Sequence, residues 1–188
     1  MLEIQTKRLI IRDHIEQDLD TMHTLLSNPV AMYYLEDIKT NTVEETKQNL
    51  QTAIDEIGME DRTKYFFRIE DKNNRYIGEI GFTVRLDTPA GRVVELGYFI
   101  LPEFWGQGYT TEAAKAVIRY AFQEAKVIKL EVGCIKDNIG SERVMQKLDM
   151  IKEADYTMRV WHNNSFKDRV EYRFTREEWM RLYGKDED

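Results

Sequence analysis

The sequence predicts an α+β fold: one domain over residues 1–188, with a mixed, mostly antiparallel sheet of six to seven strands flanked by helices, in the order βααβββαβαββα. Three observations predict it. Apolar spacing alternates along the chain between the helical and the strand period. Between residues 64 and 101, three strand patterns follow one another with short turns, as in an antiparallel meander. One segment alone, residues 92–135, has the β–turn–α–β form in which a crossover helix joins parallel neighbours.

Residues 3–13, EIQTKRLIIRD, read as the first strand, with Leu9 and Ile11 alternating against Arg8, Ile10 and Arg12. Residues 16–28 read as a helix: Leu19, Met22, Leu25 and Leu26 recur at helical spacing behind acids in the first turn, and Asn28-Pro29 breaks it. Thr42 and Glu45 have the spacing of a capping box, so a second helix starts there. Its apolar stripe is Val43, Leu50, Ala53, Ile54 and Ile57, and Gly58 closes it. KYFFRIED (64–71) and RYIGEIGFTVRL (75–86) are strands around a KNN turn, and TPAG (88–91) leads into the strand RVVELGYFIL (92–101). Ala113, Ala114, Val117, Ile118, Ala121 and Phe122 then form one broad apolar helix face. IKLEVGCI (128–135) is a strand, and residues 137–149 a helix with Val144, Met145 and Leu148 inward. KEADYTMRVW and FKDRVEYRF make a hairpin around HNNS, followed by a short helix at 175–183 and a solvated or frayed tail at 184–188.

The formal charge of −7 argues against a nucleic-acid binder, whose affinity comes from neutralising phosphates with Lys and Arg. No apolar run approaches the ~20 residues that span a bilayer. The opening residues lack the regions of a signal peptide, and a cytoplasmic protein is the expectation. The lone cysteine, Cys134, sits in an apolar run and reads as a buried strand residue. His14, His23 and His162 form no ligand pattern, so no metal is expected; His14 and His162 read as surface residues.

The stretch LPEFWGQGYTTEAA (101–114) joins a strand to the clearest helix through Gly106 and Gly108. Amides at a helix N-terminus favour an anion, usually a phosphate, and glycines let a ligand approach bare main chain. The bland reading is a turn that uses glycine for its positive φ. The GxGxxG of a dinucleotide site is absent, since residue 111 is Thr, and so is the GK[ST] of a P-loop.

The run resembles motif A of the GCN5-related N-acetyltransferase (GNAT) superfamily, whose Q/R-x-x-G-x-G/A loop holds the pyrophosphate of acetyl-CoA. Trp105 and Thr110 depart from that pattern, while the form W-G-x-G-Y-x-x-E-A is typical of the branch that includes ribosomal-protein N-terminal alanine acetyltransferases. TKRLIIR (6–12), YIGEIGF (76–82), VELGYFILPEFWGQGY (94–109), NIGSERVMQKLDM (138–150) and FKDRVEYRFTREEW (166–179) resemble the same branch, so the likeness covers nearly the whole chain. In the fourth of these, Asp149 and Met150 stand where the branch has Gly and Phe.

The resemblance implies a GNAT-like fold and an acetyl-CoA-dependent N-acetyltransferase acting by direct attack in a ternary complex. It places the pyrophosphate on the amides of Gly106, Gln107, Gly108, Tyr109 and Thr110, and pantetheine along the strand at Phe99, Ile100 and Leu101. It makes Glu95 a general base, directly or through water; the plain alternative is an edge or solvent-facing acid. Asn138 caps its helix on local grounds, and the resemblance adds a contact to the pantetheine arm. Ser141 matches a residue near the leaving thiolate, against the alternative of an exposed serine at a helix start. Tyr33, Tyr34 and Glu36 fall where the family lines its acceptor pocket. The acceptor is a primary amine, either a protein N-terminus or a small molecule, and the protein is expected as a monomer or homodimer. A non-catalytic acyl-CoA-binding module on the same fold is the rival reading, distinguished by CoA binding without turnover.

Overall fold

The computed structural model describes residues 1–184; the remainder of the expected frayed tail lies outside the described residues. The strands are β1 (Glu3–Gln5), β2 (Leu9–Asp13), β3 (Lys64–Asp71), β4 (Tyr76–Thr88), β5 (Gly91–Ile100), β6 (Val127–Ile135), β7 (Ile151–His162) and β8 (Ser165–Thr175). The helices are α1 (Leu19–Leu26), α2 (Val43–Asp55), α3 (Tyr109–Gln123), α4 (Ile139–Lys147) and α5 (Arg176–Tyr183). The strands form one sheet in the order β1-β2-β3-β4-β5-β6-β8-β7. The pairing of β5 with β6 is parallel, and the ladders β1–β2, β2–β3, β3–β4, β6–β8 and β7–β8 are antiparallel. The crossover through α3 is therefore the expected one. The eighth strand arises because residues 3–13 are a hairpin rather than one strand. Thr6 N donates to Leu9 O at 3.0 Å. The Glu112 carboxylate takes both the Thr6 hydroxyl, at 2.6 Å, and the Arg8 amide, at 2.9 Å. Once those turn groups are satisfied, the chain folds back and Gln5 pairs with Ile10.

The chain forms two compact units, Met1–Thr83 with Gly97–Val117, and Val84–Leu96 with Ile118–Asp188. In the first, Leu9, Ile11, Leu25, Leu26, Phe67 and Ile69 are buried, and Tyr65 stacks on Phe82 at 4.4 Å. The capping box at Thr42 and Glu45 starts α2 as expected. Val43, assigned to its apolar stripe, is exposed, and Thr46 is buried instead. The Thr46 hydroxyl bonds with Thr40 Oγ1 at 2.7 Å and His23 Nδ1 at 2.8 Å, which makes a polar residue acceptable there.

The same unit contains a buried ionic cluster that apolar patterning does not reveal. His14, expected at the surface, is 2% exposed. Its Nε2 lies 2.7 Å from Glu79 Oε2 and its Nδ1 3.5 Å from Asp18 Oδ2. Asp18 also accepts a two-pronged bond from Arg12, Arg68 reaches Glu70 at 2.7 Å, and the Tyr76 hydroxyl donates to Glu79 at 2.5 Å. Burial works against a charged imidazole, but Glu79 and Asp18 outweigh it and raise the His14 pKa to about 9. Burial opposes ionisation of Asp18 too, and His14 and Arg12 together hold it well below the usual carboxylate range. Three carboxylates thus share one imidazolium and two guanidinium groups in a dry interior, where each charge needs its partner.

In the second unit, Phe122 of α3 meets Trp179 of α5 at 5.5 Å. The α5 helix begins with a capping box, Thr175 and Glu178. The β7–β8 hairpin turns at Asn163 and Asn164, both at positive φ, as a two-residue turn of this hand requires. His162, also expected at the surface, is buried, because side chains alternate along β7 and its neighbour Trp161 takes the solvent face. The register of β7 shifts between Tyr156 and Val160, with Met158 at φ 50° and its amide bonded to Asp168 Oδ1 at 3.0 Å. At the end of α4, Asp149 adopts φ 57°, the left-handed C-terminal conformation for which glycine is best suited.

His14 binds its proton more tightly in the folded protein than at its ordinary value of 6.5. The folded state thus keeps a proton that the unfolded chain releases, and this stabilisation is complete below about 6.5 and lost as pH rises through about 9. Urea midpoints measured from pH 6 to 10 should fall with pH, and His14→Gln should flatten that fall. A level profile for the unsubstituted protein would contradict the imidazolium. Separately, Asp149→Gly should raise stability by about 1 kcal/mol in a denaturation curve, by removing the left-handed penalty. The Tyr183 hydroxyl keeps its bond to Leu148 O, at 2.9 Å, in that variant.

Candidate functional site

The glycine turn lies in the first unit. After β5 a single 3-10 turn, Pro102–Phe104, carries the chain to Trp105, whose amide donates to Pro102 O at 3.1 Å. Gly106 and Gly108 follow with φ of 74° and 79°. A Cβ on Gly106 would meet nothing within 4 Å, and one on Gly108 would come no closer than 3.5 Å to Arg8 Nη2. Backbone conformation therefore favours glycine at both positions; the space beside Gly106 is open, whereas Arg8 borders Gly108. The positive φ at both positions is by itself a reason for glycine in this turn.

Glu112 N is the first amide of α3 to find a helical acceptor, on Gly108 O at 3.0 Å. The amides of Tyr109, Thr110 and Thr111 precede the ladder, and Gly108 has no side chain with which to cap them. The loop is secured from outside. Gln107 Nε2 donates to Glu103 O at 2.8 Å, and Arg8 Nη1 donates to Gln107 O at 2.9 Å. Arg8 Nε reaches Glu112 at 2.6 Å, and its guanidinium carbon lies 4.4 Å from the Tyr109 ring centre. Burial raises the Glu112 carboxyl, but Thr6 and Arg8 together hold it below the ordinary range. The irregular Trp105 has an exposed ring whose Nε1 donates to Ile100 O at 3.0 Å, fastening the loop to the end of β5.

Of the three residues assigned to pantetheine, Ile100 and Leu101 are buried. Ile100 O is taken by Trp105, and Leu101 N donates to Ile77 O at 2.9 Å. Gly78 lets β4 approach closely here, since a Cβ on it would fall 2.5 Å from Phe99 O. Tyr33, Tyr34 and Glu36 lie in the connection between α1 and α2, where the two rings meet edge to face at 4.8 Å and Tyr33 and Glu36 are exposed.

The second unit holds Glu95, Asn138 and Ser141. The parallel ladder runs from Arg92↔Val127 to Glu95↔Glu131, so Glu95 occupies its last recorded pair while β5 continues to Ile100. Its side chain is 36% exposed, with Oε2 2.9 Å from Arg85 Nη2 and Oε1 3.8 Å from Arg169 Nη2. Arg169 also binds Glu171 at 2.5 Å. The Glu171 carboxylate covers Gly133 of β6, where a Cβ would fall 2.1 Å from Glu171 Oε2. Glu95 is thus a partly exposed acid between two arginines; neither arginine stood out in the sequence, because their pairing depends on strand register. Asn138 caps α4 as expected, its Oδ1 accepting from Ser141 N at 3.2 Å. The Cys134 thiol donates to Asn138 O at 3.8 Å. Burial pushes that thiol up to about 11, a rise that a hydrogen bond with Ser141 partly opposes, so Ser141 faces Cys134.

Residues 8–151 match the family described as the acetyltransferase (GNAT) domain. The chain is 28% identical over 178 residues to an uncharacterized N-acetyltransferase, YnaD, of Bacillus subtilis, covering 95% of this chain and 99% of that one. It is similar in structure to the ribosomal-protein-S5-alanine acetyltransferase of Vibrio fischeri, with a TM-score of 0.81 at 18% identity over 95% and 99% of the two chains. It is also similar to spermidine N-acetyltransferase from Vibrio cholerae, solved with CoA and spermine, with a TM-score of 0.80 at 18% identity over 93% and 99%.

Gly106→Ala should lower stability by about 1 kcal/mol, the cost of a left-handed alanine, with no added clash. A denaturation curve measures it; an unchanged midpoint would show that the loop relaxes out of this conformation.

Proposed function

Because the chain belongs to the GNAT acetyltransferase family, we propose that it transfers acetyl from acetyl-CoA directly to a primary amine, with both substrates bound together. The observation that carries the reading is the glycine loop: two glycines at positive φ, with nothing within 4 Å of the Cβ position of Gly106, leading straight into the first turn of α3. Such a cradle fits a pyrophosphate, because partial positive charge and bare N–H groups converge on it. The amides of Gly106, Gln107, Gly108, Tyr109 and Thr110 hold the diphosphate. The pantetheine arm runs along β5 near Phe99, with Asn138 contributing. Acetyl-CoA supplies an activated thioester; the chain's own residues orient it and manage the protons.

Glu95 takes the proton of the acceptor amine, directly or through water. An α-amino group, with pKa about 7.7–8.0, is roughly a tenth neutral at pH 7, whereas an alkyl amine near 10.4 is almost wholly charged. Arg85 and Arg169 beside Glu95 repel a polycation more than a singly charged terminus. Both arguments favour a protein or peptide α-amine as acceptor. Tyr33, Tyr34 and Glu36 are the candidates for contact with the acceptor. Ser141 hydrogen-bonds the departing sulfur. Cys134 carries no acyl group, because a thiol at about 11 stays protonated at neutral pH.

Thiol release from acetyl-CoA, followed across N-terminal peptides, lysine peptides and polyamines, tests the reading. Turnover is expected, greatest with α-amines, and absence of acetyl-CoA consumption across the panel would refute it. Glu95→Gln should lower kcat by about a hundredfold, as loss of a general base does. Full activity in that variant would remove Glu95 from the mechanism.

A further inference from the structure

Arg8 lies outside the glycine loop in sequence yet reaches both the loop and the first turn of α3. It bonds the carbonyl of Gln107 and the carboxylate of Glu112, covers the ring of Tyr109, and stands 3.5 Å from the Cβ position of Gly108. The Gln107 carbonyl belongs to the peptide that joins residues 107 and 108, between two glycines in the left-handed region. Glycine tolerates many conformations, so such a peptide is free to rotate unless something grips it. The described chain has no cis peptide bond. In a trans peptide the C=O and the following N–H point in opposite directions. Holding the Gln107 carbonyl against Arg8 therefore aims the Gly108 N–H away from Arg8, on the opposite side of that peptide.

A second consequence is electrostatic. Glu112 sits in the first turn of α3, at the end of the helix where an anion would bind. Unneutralised, its charge would repel that anion. Arg8 cancels it, and the Thr6 hydroxyl and Arg8 amide share the same carboxylate. The Arg8 side chain is 41% exposed, and ion pairs that exposed add little to stability. Its geometry serves the loop more than the fold.

We propose that Arg8 is the positioning residue of the pyrophosphate cradle, fixing the peptide between Gln107 and Gly108 and cancelling the charge of Glu112. The proposal rests on the acetyl-CoA reading above and adds a residue remote from the reacting thioester. Lysine cannot replace it: an ammonium keeps the charge but lacks the planar fork that spans a carbonyl and a carboxylate together.

Calorimetric titration of the full chain with CoA, and separately with pantetheine, which has no pyrophosphate, tests it. Arg8→Ala should weaken CoA by about tenfold or more, the scale of a lost charge-assisted hydrogen bond, and leave pantetheine within about twofold. Arg8→Lys should fall between, and adding Glu112→Gln to Arg8→Ala should recover part of the loss. In steady state, the KM for acetyl-CoA should rise more than kcat falls. Equal weakening of CoA and pantetheine in both Arg8 variants, or unchanged CoA affinity, overturns the positioning role. Failure of the unsubstituted protein to bind CoA overturns the acetyl-CoA reading as well, and that result is seen before any variant is made.

Discussion

The carboxylate of Glu112 is the point from which the first unit is organised. It accepts from the Thr6 hydroxyl, the Arg8 amide and the Arg8 guanidinium. The first two bonds turn the chain into the β1–β2 hairpin, and the third brings a cation to the glycine loop. A single side chain in the first turn of α3 thereby couples the edge of the sheet to the glycine loop that opens the helix. Charge-assisted bonds to one carboxylate are stronger than neutral ones and more demanding in direction.

Elsewhere the sheet is organised by register. Pairing Gly133 with Glu171 leaves room for a carboxylate over β6. The Arg169 guanidinium joins that carboxylate to Glu95, and Arg85 approaches Glu95 as a further cation. The acid on β5 thus sits within a strip of alternating charge. The buried cluster at His14 is a different case. There the charges lie in the interior, and their partners come from β2, β3, β4 and the turn before α1. A dry cluster of this kind ties several elements to one arrangement.

Local signals in the sequence were read well. The strand patterns at β3 to β6, the α3 apolar face and the caps at Thr42 and Asn138 all depend on neighbours within a few residues. The glycine loop was legible for the same reason. What escaped involved partners distant in sequence. Residues 3–13 alternate well enough for one strand; the turn between Thr6 and Leu9, whose groups Glu112 holds from a distance, makes them two. His14 and His162 are polar and lie near element ends, which suggested solvent; their burial depends on Glu79 in one case and on strand alternation in the other. Val43 and Thr46 exchanged roles because Thr40 and His23 supplied hydroxyl and imidazole partners. Glu95 was visible as an acid on a mostly apolar strand, but its two arginines were not.

The irregularity at Met158 bears on a hazard unrelated to catalysis. β7 ends the sheet, and an outermost strand of such length presents a row of open N–H and C=O groups to any other strand it meets. Apolar side chains at Met158 and Trp161 would make such an encounter adhesive. The register shift breaks the row in its middle, and Asp168 claims the Met158 amide from within the hairpin. Lys152, Glu153 and Asp155 place charge before the break, and Arg159 places it within the break. A kink that looks like a flaw in the ladder thus shortens the unbroken edge that another strand could pair with.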